Sequence, residues 1–303
     1  MERPFITLDV FAERPFGGNP LAVVLDGRGL DTAAMQAIAG EFNLSETVFM
    51  LPPEDPANSA ALRIFTPQVE LPFAGHPNVG AAVAFALGCG PFGRKGVERV
   101  RFEERVGLVA LDLDYDGAHP RGAWLTAPAA PAIGDPLPPA LVARAAGLPV
   151  TAIRREPRPP RLVRLGPDFA MVELADAGAM AAARPVGEAF GASPGPGGED
   201  RLQALLVLYR YEGTRLHVRV FAPLAGIAED PATGAANLAL AGYLAALAPE
   251  ADLDLDLAVS QGGEMGRPSR LRVQAAKRQG GCAPPRIHGC AVQVMEGRLR
   301  LPG

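Results

Sequence analysis

Short apolar runs punctuated by turn residues fill most of the chain, and two longer stretches of small apolar residues stand out against them. Residues 5–11 alternate in part and residues 21–25 are continuously apolar, so both predict strands, separated by the turn chemistry of Phe16-Gly17-Gly18-Asn19-Pro20. Residues 31–42 place Met35, Ile38, Ala39 and Phe42 on one helical face behind a capping Asp31 or Thr32. A strand follows over residues 43–51, beginning polar and ending in the apolar run 47–51, and another covers 61–65. Residues 79–88 predict a buried helix closed by Gly88, which puts His76 just ahead of its N-terminus. Residues 97–102 and 106–113 predict a strand pair, and a strand over 122–126 closes this half.

A proline-rich stretch over residues 128–139 reads as a linker. Beyond it the pattern predicts a helix over 141–146 and strands over 162–165 and 169–174. A surface loop is expected at 193–200, then a hairpin of strands 203–209 and 216–221 turning at Glu212-Gly213. A long apolar helix is expected over 234–247, with Asp230-Pro231 reading locally as its N-cap and first turn. A strand over 251–259 leads to the glycines of QGGEMGRPS, read as a bulge or turn. Two short strands around Glu296-Gly297 complete a sheet.

One stretch occurs twice. RIFTPQVELPFAGHPNVGAA at residues 63–82 returns as RVFAPLAGIAEDPATGAA at 219–236. Arg63 and Arg219 are 156 positions apart, whereas HPNVGAA precedes DPATGAA by 154, so two residues are lost between the matching blocks and His76 aligns with Asp230. Such a long period indicates a duplicated domain rather than a repeat array.

Composition narrows the function classes. The chain has 303 residues, enough for two domains, with 48% hydrophobic and 20% charged residues. A net charge of −4, with no basic run interleaved with aromatics, argues against a nucleic-acid partner. Cys89, Cys282 and Cys290 form no CxxC pair or regular framework, which fits a reducing, cytoplasmic setting, and the charged N-terminal stretch is expected to be neither a signal peptide nor a membrane anchor.

The candidate chemistry is acid–base. Glu46 stands at the mouth of an apolar run that would desolvate it and raise its pKa, as suits a proton shuttle near neutrality. The helix starts at Gly75–Gly80 and at Gly234 and Ala235 offer free amides to a carboxylate, Asn19 is placed to enter a cleft, and His76 and Asp230 are the other titratable candidates. If the halves are related by a twofold axis, the two helix starts meet in one cleft. No metal is expected, because one histidine and two distant carboxylates lack ligand spacing. GxSxG, phosphate-loop and dinucleotide fingerprints are absent, and no cofactor is expected.

Taken in order, FGGNPLAVV, NLSETVF, RIFTP with ELPFAGHP, RVFAP with EDPATG, and QG with MGRPS closely resemble the PhzF, or phenazine biosynthesis-like, isomerase family. The resemblance implies an α+β, diaminopimelate-epimerase-like fold: two similar domains, each a curved, mostly antiparallel sheet around a central helix, with the site between them and homodimers common. The domains are placed at residues 1–127 and 128–285, with residues 286–303 free to return to the first. It also implies a catalytic glutamate at Glu46, a histidine at His76 and an aspartate at Asp230. Glu46 would carry a proton between carbons of a small carboxylate, of the type of trans-2,3-dihydro-3-hydroxyanthranilate, while His76 and Asp230 order its polar groups. Asn19, Gly75, Gly234 and Ala235 are the expected substrate contacts. The family motif reads DPATGSA, so Ala235 stands where a substrate-contacting serine is expected. Thiol racemisation does not fit, since no cysteine lies at either helix entry. The alternatives are an amino-acid or hydroxy-acid epimerase or racemase, and a non-catalytic small-molecule binder.

Overall fold

The computed structural model describes residues 2–195, 198 and 200–301. Of the loop expected at 193–200, Pro196, Gly197 and Glu199 lie outside the described residues. Contacts divide the chain into two units, Met1–Thr126 with His288–Gly303, and Ala127–Ile287.

In the first unit, strand Glu2–Val10 pairs antiparallel with Asn19–Val24, which runs parallel to Glu46–Leu51 and leads through Ala60–Phe65 to the meander Arg99–Glu104, Gly107–Asp116 and His119–Thr126. Helix α1 (Thr32–Phe42) is capped by the Asp31 carboxylate, which accepts from Ala34 N–H at 2.8 Å, and it ends at Asn43 in the left-handed region. The C-terminal strand Arg286–Arg300 lies antiparallel along Glu2–Val10. It is one long strand with a register shift opposite Thr7 and Leu8, and not two strands around Glu296-Gly297. Gly297 lets the Phe5 ring close: a Cβ there would fall 2.7 Å from it.

Helix α2 (Gly75–Ala86) is buried at every residue, and strands of the sheet pack round it. Its small side chains permit this, because a Cβ on Gly80 would meet Leu21 Cδ2 at 2.4 Å and Val10 Cγ2 at 2.9 Å. The helix begins four residues earlier than its apolar pattern predicts. His76 is therefore inside the first turn and not ahead of it.

The second unit repeats the plan. Part of the expected linker is itself a strand, Ala132–Pro136, paired with Arg161–Arg164. Helices α3 (Pro139–Ala145) and α4 (Ala177–Ala182) flank the strands Asp168–Glu173, Leu205–Glu212, Arg215–Ala222 and Leu253–Gln261. The central helix α5 (Gly234–Leu247) is buried along nearly its whole length against this sheet, with the bounds that its sequence predicts. A Cβ on Gly242 would meet Pro131 Cγ at 2.4 Å, so this helix too is held close by a glycine. The fold is α+β, of the diaminopimelate-epimerase type.

The duplication is real but its register differs from the one the sequence suggests. Arg63 forks onto Glu70 with Nε and Nη2 at 2.8 and 2.7 Å, and Arg219 forks onto Glu229 at the same distances. Each guanidinium also lies over a phenylalanine ring, Phe65 at 5.1 Å and Phe221 at 5.0 Å. Each central helix carries an asparagine in its first turn that bonds back to the carbonyl before the helix: Asn78 to Ala74, and Asn237 to Thr233, both at 3.0 Å. These pairs align Glu70-Leu71-Pro72 with Glu229-Asp230-Pro231, and Gly75 through Asn78 with Gly234 through Asn237. The Arg219 copy thus gains three residues, in the turn Pro223–Ala225 and its neighbours, where the repeated GAA suggested a loss of two. His76 corresponds to Ala235, and Asp230 corresponds to Leu71.

Candidate active site

Glu46 opens strand Glu46–Leu51 beside Leu21 of the parallel neighbour, so the strand pairing carries its carboxyl away from water. Its Oε2 lies 3.4 Å from His76 Nε2 in the first turn of α2. That oxygen is buried and makes no hydrogen bond among the described residues, which leaves the carboxyl with little to stabilise its charge. Burial pushes the Glu46 pKa up to about 7, and a hydrogen bond from Ser45 opposes the shift. The Ser45 hydroxyl, which has one proton to give, also lies 2.9 Å from Asn19 Oδ1, a second acceptor for it. Asn19 is buried where the loop after Glu2–Val10 turns back into the sheet. The turn requires Gly18, whose φ is +62° and whose Cβ would lie 2.2 Å from the Val10 carbonyl oxygen. The first unit therefore gathers Asn19, Ser45, Glu46, His76 and Gly75 around the start of α2.

Asp230 belongs to the second unit, at the end of strand Ile227–Asp230. It is not the N-cap of α5: Thr233 is, and neither Thr233 nor its counterpart Ala74 caps its helix with a side chain. The amides of the first turns of both helices consequently have no side-chain cap, unlike those of α1 and α4. The Thr233 hydroxyl donates to Asp230 Oδ2. Gly234 and Ala235 are the first two residues of α5, Gly234 buried and Ala235 partly so.

Two residues beyond the sequence candidates shape these helix starts. Buried Gln261, the last residue of its strand, donates from Nε2 to the Asp230 carbonyl at 2.8 Å, and its Oε1 accepts from Asn237 Nδ2 at 2.8 Å and from Thr233 N–H at 3.3 Å. The glycines after it, expected as a bulge or turn, form a turn that packs on the approach to α5. Gly262 is left-handed and clears the Pro231 carbonyl, and Ser269 at the far end donates to that carbonyl at 2.8 Å. The other residue is Glu104, a second buried carboxyl, pushed up to about 8 by desolvation, with Asn78 opposing. Among the described residues no group of three or more His, Cys, Asp or Glu side chains gathers as a metal would need, and no helix is long and apolar enough to cross a membrane.

The family model described as phenazine biosynthesis-like protein matches residues 8–297. An uncharacterised isomerase of Mesorhizobium japonicum is 38% identical over 98% of both chains. A trans-2,3-dihydro-3-hydroxyanthranilate isomerase of Pseudomonas fluorescens is 31% identical over 98% of this chain and 99% of its own. The crystal structure of a Bacillus anthracis PhzF-family protein matches with a TM-score of 0.85 over 99% of this chain and all of that one, at 24% identity. The chain belongs to the phenazine biosynthesis-like, or PhzF, family of isomerases.

Proposed function

We propose that the protein moves a proton between carbons of a small carboxylate without a cofactor, with Glu46 as the general acid and base. The observation that carries the reading is the Glu46 carboxyl itself: desolvated, poised at about 7, and 3.4 Å from a histidine at a helix start. A group with its pKa near the working pH both accepts and returns a proton at low cost, which is what a shuttle between two carbons needs. In this reading His76 and Asp230 order the polar groups of the substrate, Asn19 lines its path, and the open amides at Gly75, Gly234 and Ala235 receive its carboxylate. The relatives named as trans-2,3-dihydro-3-hydroxyanthranilate isomerases support that compound as the first substrate to try. A homodimer, common in the family, is part of the reading, with sedimentation velocity as its check.

The test is solvent deuterium incorporation into trans-2,3-dihydro-3-hydroxyanthranilate and into a panel of small amino and hydroxy acids. Deuterium appearing at a new carbon with the double bond moved supports the isomerase. Incorporation at a stereocentre with inversion and no bond shift makes the protein an epimerase instead, and binding without exchange makes it a binder.

A further inference from the structure

The register of the duplicated strands puts Glu104 and Gln261 at the same position. Ala60 pairs with Phe102 and Leu216 with Val259, each in a parallel pair, and Ala60 and Leu216 are 156 residues apart, as Arg63 and Arg219 are. Two residues further along, Glu104 and Gln261 each end their strand. In the second unit Gln261 keys the start of α5 with one donor and one acceptor: its NH2 goes to the Asp230 carbonyl, and its oxygen accepts from Asn237. In the first unit the counterparts of those partners are the Leu71 carbonyl and Asn78. The Asn78 amide acts on the Glu104 carboxyl, and both Glu104 oxygens are buried with no hydrogen bond among the described residues. A carboxylate there would offer acceptors only, whereas the position Gln261 holds in the second unit uses one donor and one acceptor. A carboxylic acid offers one of each and is nearly isosteric with glutamine.

We propose that Glu104 is a positioning residue, whose neutral carboxylic acid does for α2 what the Gln261 amide does for α5: it donates to the Leu71 carbonyl, accepts from Asn78 Nδ2, and fixes the first turn that carries His76. The effect on turnover rests on the role given to His76 above, whereas the keying does not. Burial, which holds the carboxyl up at about 8, keeps it protonated at neutral pH. Several charged groups on the surrounding elements are engaged elsewhere. Arg63 and Arg105 pair with Glu70, Glu103 accepts from Asn58, Arg99 pairs with Asp112, and Asp114 pairs with Arg121 and His288. Glu98, Arg101, Asp116 and His119 also lie on or beside these strands, and on α2 the one titratable side chain is His76.

A carboxyl whose folded pKa is raised stabilises the fold fully below its unfolded pKa, and that contribution is lost as pH rises through the folded value, here about 8. Glu104→Gln keeps the donor and the acceptor and removes the titration. Thermal melts of the wild type, Glu104→Gln and Glu104→Leu are to be compared from about pH 5 to about pH 9.5, alongside deuterium incorporation into trans-2,3-dihydro-3-hydroxyanthranilate. Glu104→Gln should melt close to the wild type at the acid end and several degrees above it at the alkaline end. It should retain turnover at neutral pH and lose the fall in turnover above about pH 8, while Glu104→Leu loses stability throughout. A stability gap between Glu104→Gln and the wild type that does not change with pH overturns the keying. A gap that widens with pH, while the alkaline fall in turnover stays the same in Glu104→Gln, overturns the positioning role. A widening gap with no turnover by any variant supports the keying and counts against the proposed function instead.

Discussion

The starts of α2 and α5 are built on one frame, Glu-x-Pro-x-x-Gly-x-x-Asn, and are filled with opposite chemistry. At α5 the frame is closed by neutral groups: Gln261 bonds to Thr233, to Asn237 and to the Asp230 carbonyl, and Asp230 takes a hydrogen bond from Thr233. At α2 threonine becomes alanine, alanine becomes His76 and glutamine becomes Glu104, with Glu46 at 3.4 Å from the imidazole. Among the described residues, the two buried carboxyls with strongly raised pKa values, Glu46 at about 7 and Glu104 at about 8, stand in the first unit. Duplication supplied two equal scaffolds, and divergence has loaded the titrating groups onto one and left the other keyed by amides. Desolvation explains why this is workable. Buried carboxyls are destabilising when charged, and these two stand beside the start of the helix that carries His76, one against the imidazole and one against Asn78.

The largest effect should come from removing the shuttle. Glu46→Gln keeps the shape and cannot take a proton, and it should lower turnover by about 10²- to 10⁴-fold. Asp230→Asn, on the amide-keyed side, should cost far less, about tenfold to a hundredfold, the worth of one charged hydrogen bond. Single-turnover deuterium incorporation measures both, and equal losses would erase the asymmetry between the two helix starts. The same contrast has a pH signature. Glu46 has to begin as the carboxylate, so kcat/KM should fall about tenfold per unit as pH drops below about 7, the value to which burial raises it. A profile flat from about pH 5 to about pH 8 would remove Glu46 from the base role.

Next in size is the amide key itself. Gln261→Leu leaves the Asp230 carbonyl and the Asn237 amide short of a partner in a buried place, and should destabilise the fold by about 3 kcal/mol. Urea denaturation measures it. A loss below about 1 kcal/mol would show that water replaces the side chain and that the start of α5 is not held by it.

What could be read in advance followed the local apolar pattern. Helix α5 is apolar from Gly234 to Leu247 and its ends were plain. Glu46 was legible because it stands at the mouth of an apolar run. The repeat was legible from Arg-x-Phe-x-Pro, but its register was not, because the shared Gly-Ala-Ala is the better local match while the physical anchor is an asparagine bonding back to a carbonyl. Glu104 was hidden for a different reason. It sits among Glu103 and Arg105, which looks like a solvated strand end, and only the packing around it shows that one of the three charges is taken out of water. Gly297 read as a turn because nothing local announces that Phe5, almost the whole chain away, needs its missing Cβ.

The smallest expected effect sharpens the comparison most directly, because it sits at the one position where the corrected register sets His76 against a methyl group. Ala235 is the second residue of α5, as His76 is of α2, and it is partly exposed. Ala235→Ser adds a hydroxyl at the point where the PhzF motif carries one, without touching Gln261 or Thr233. A hydrogen bond gained there with substrate is worth about 0.5–1.5 kcal/mol. The KM for trans-2,3-dihydro-3-hydroxyanthranilate should therefore fall by about two- to tenfold with kcat nearly unchanged, and the melting temperature should stay put because the side chain is small. Steady-state kinetics on the variant separates the two parameters. If kcat rises instead, the hydroxyl acts in the transition state, and the second helix start contributes to the chemistry and not only to holding the substrate.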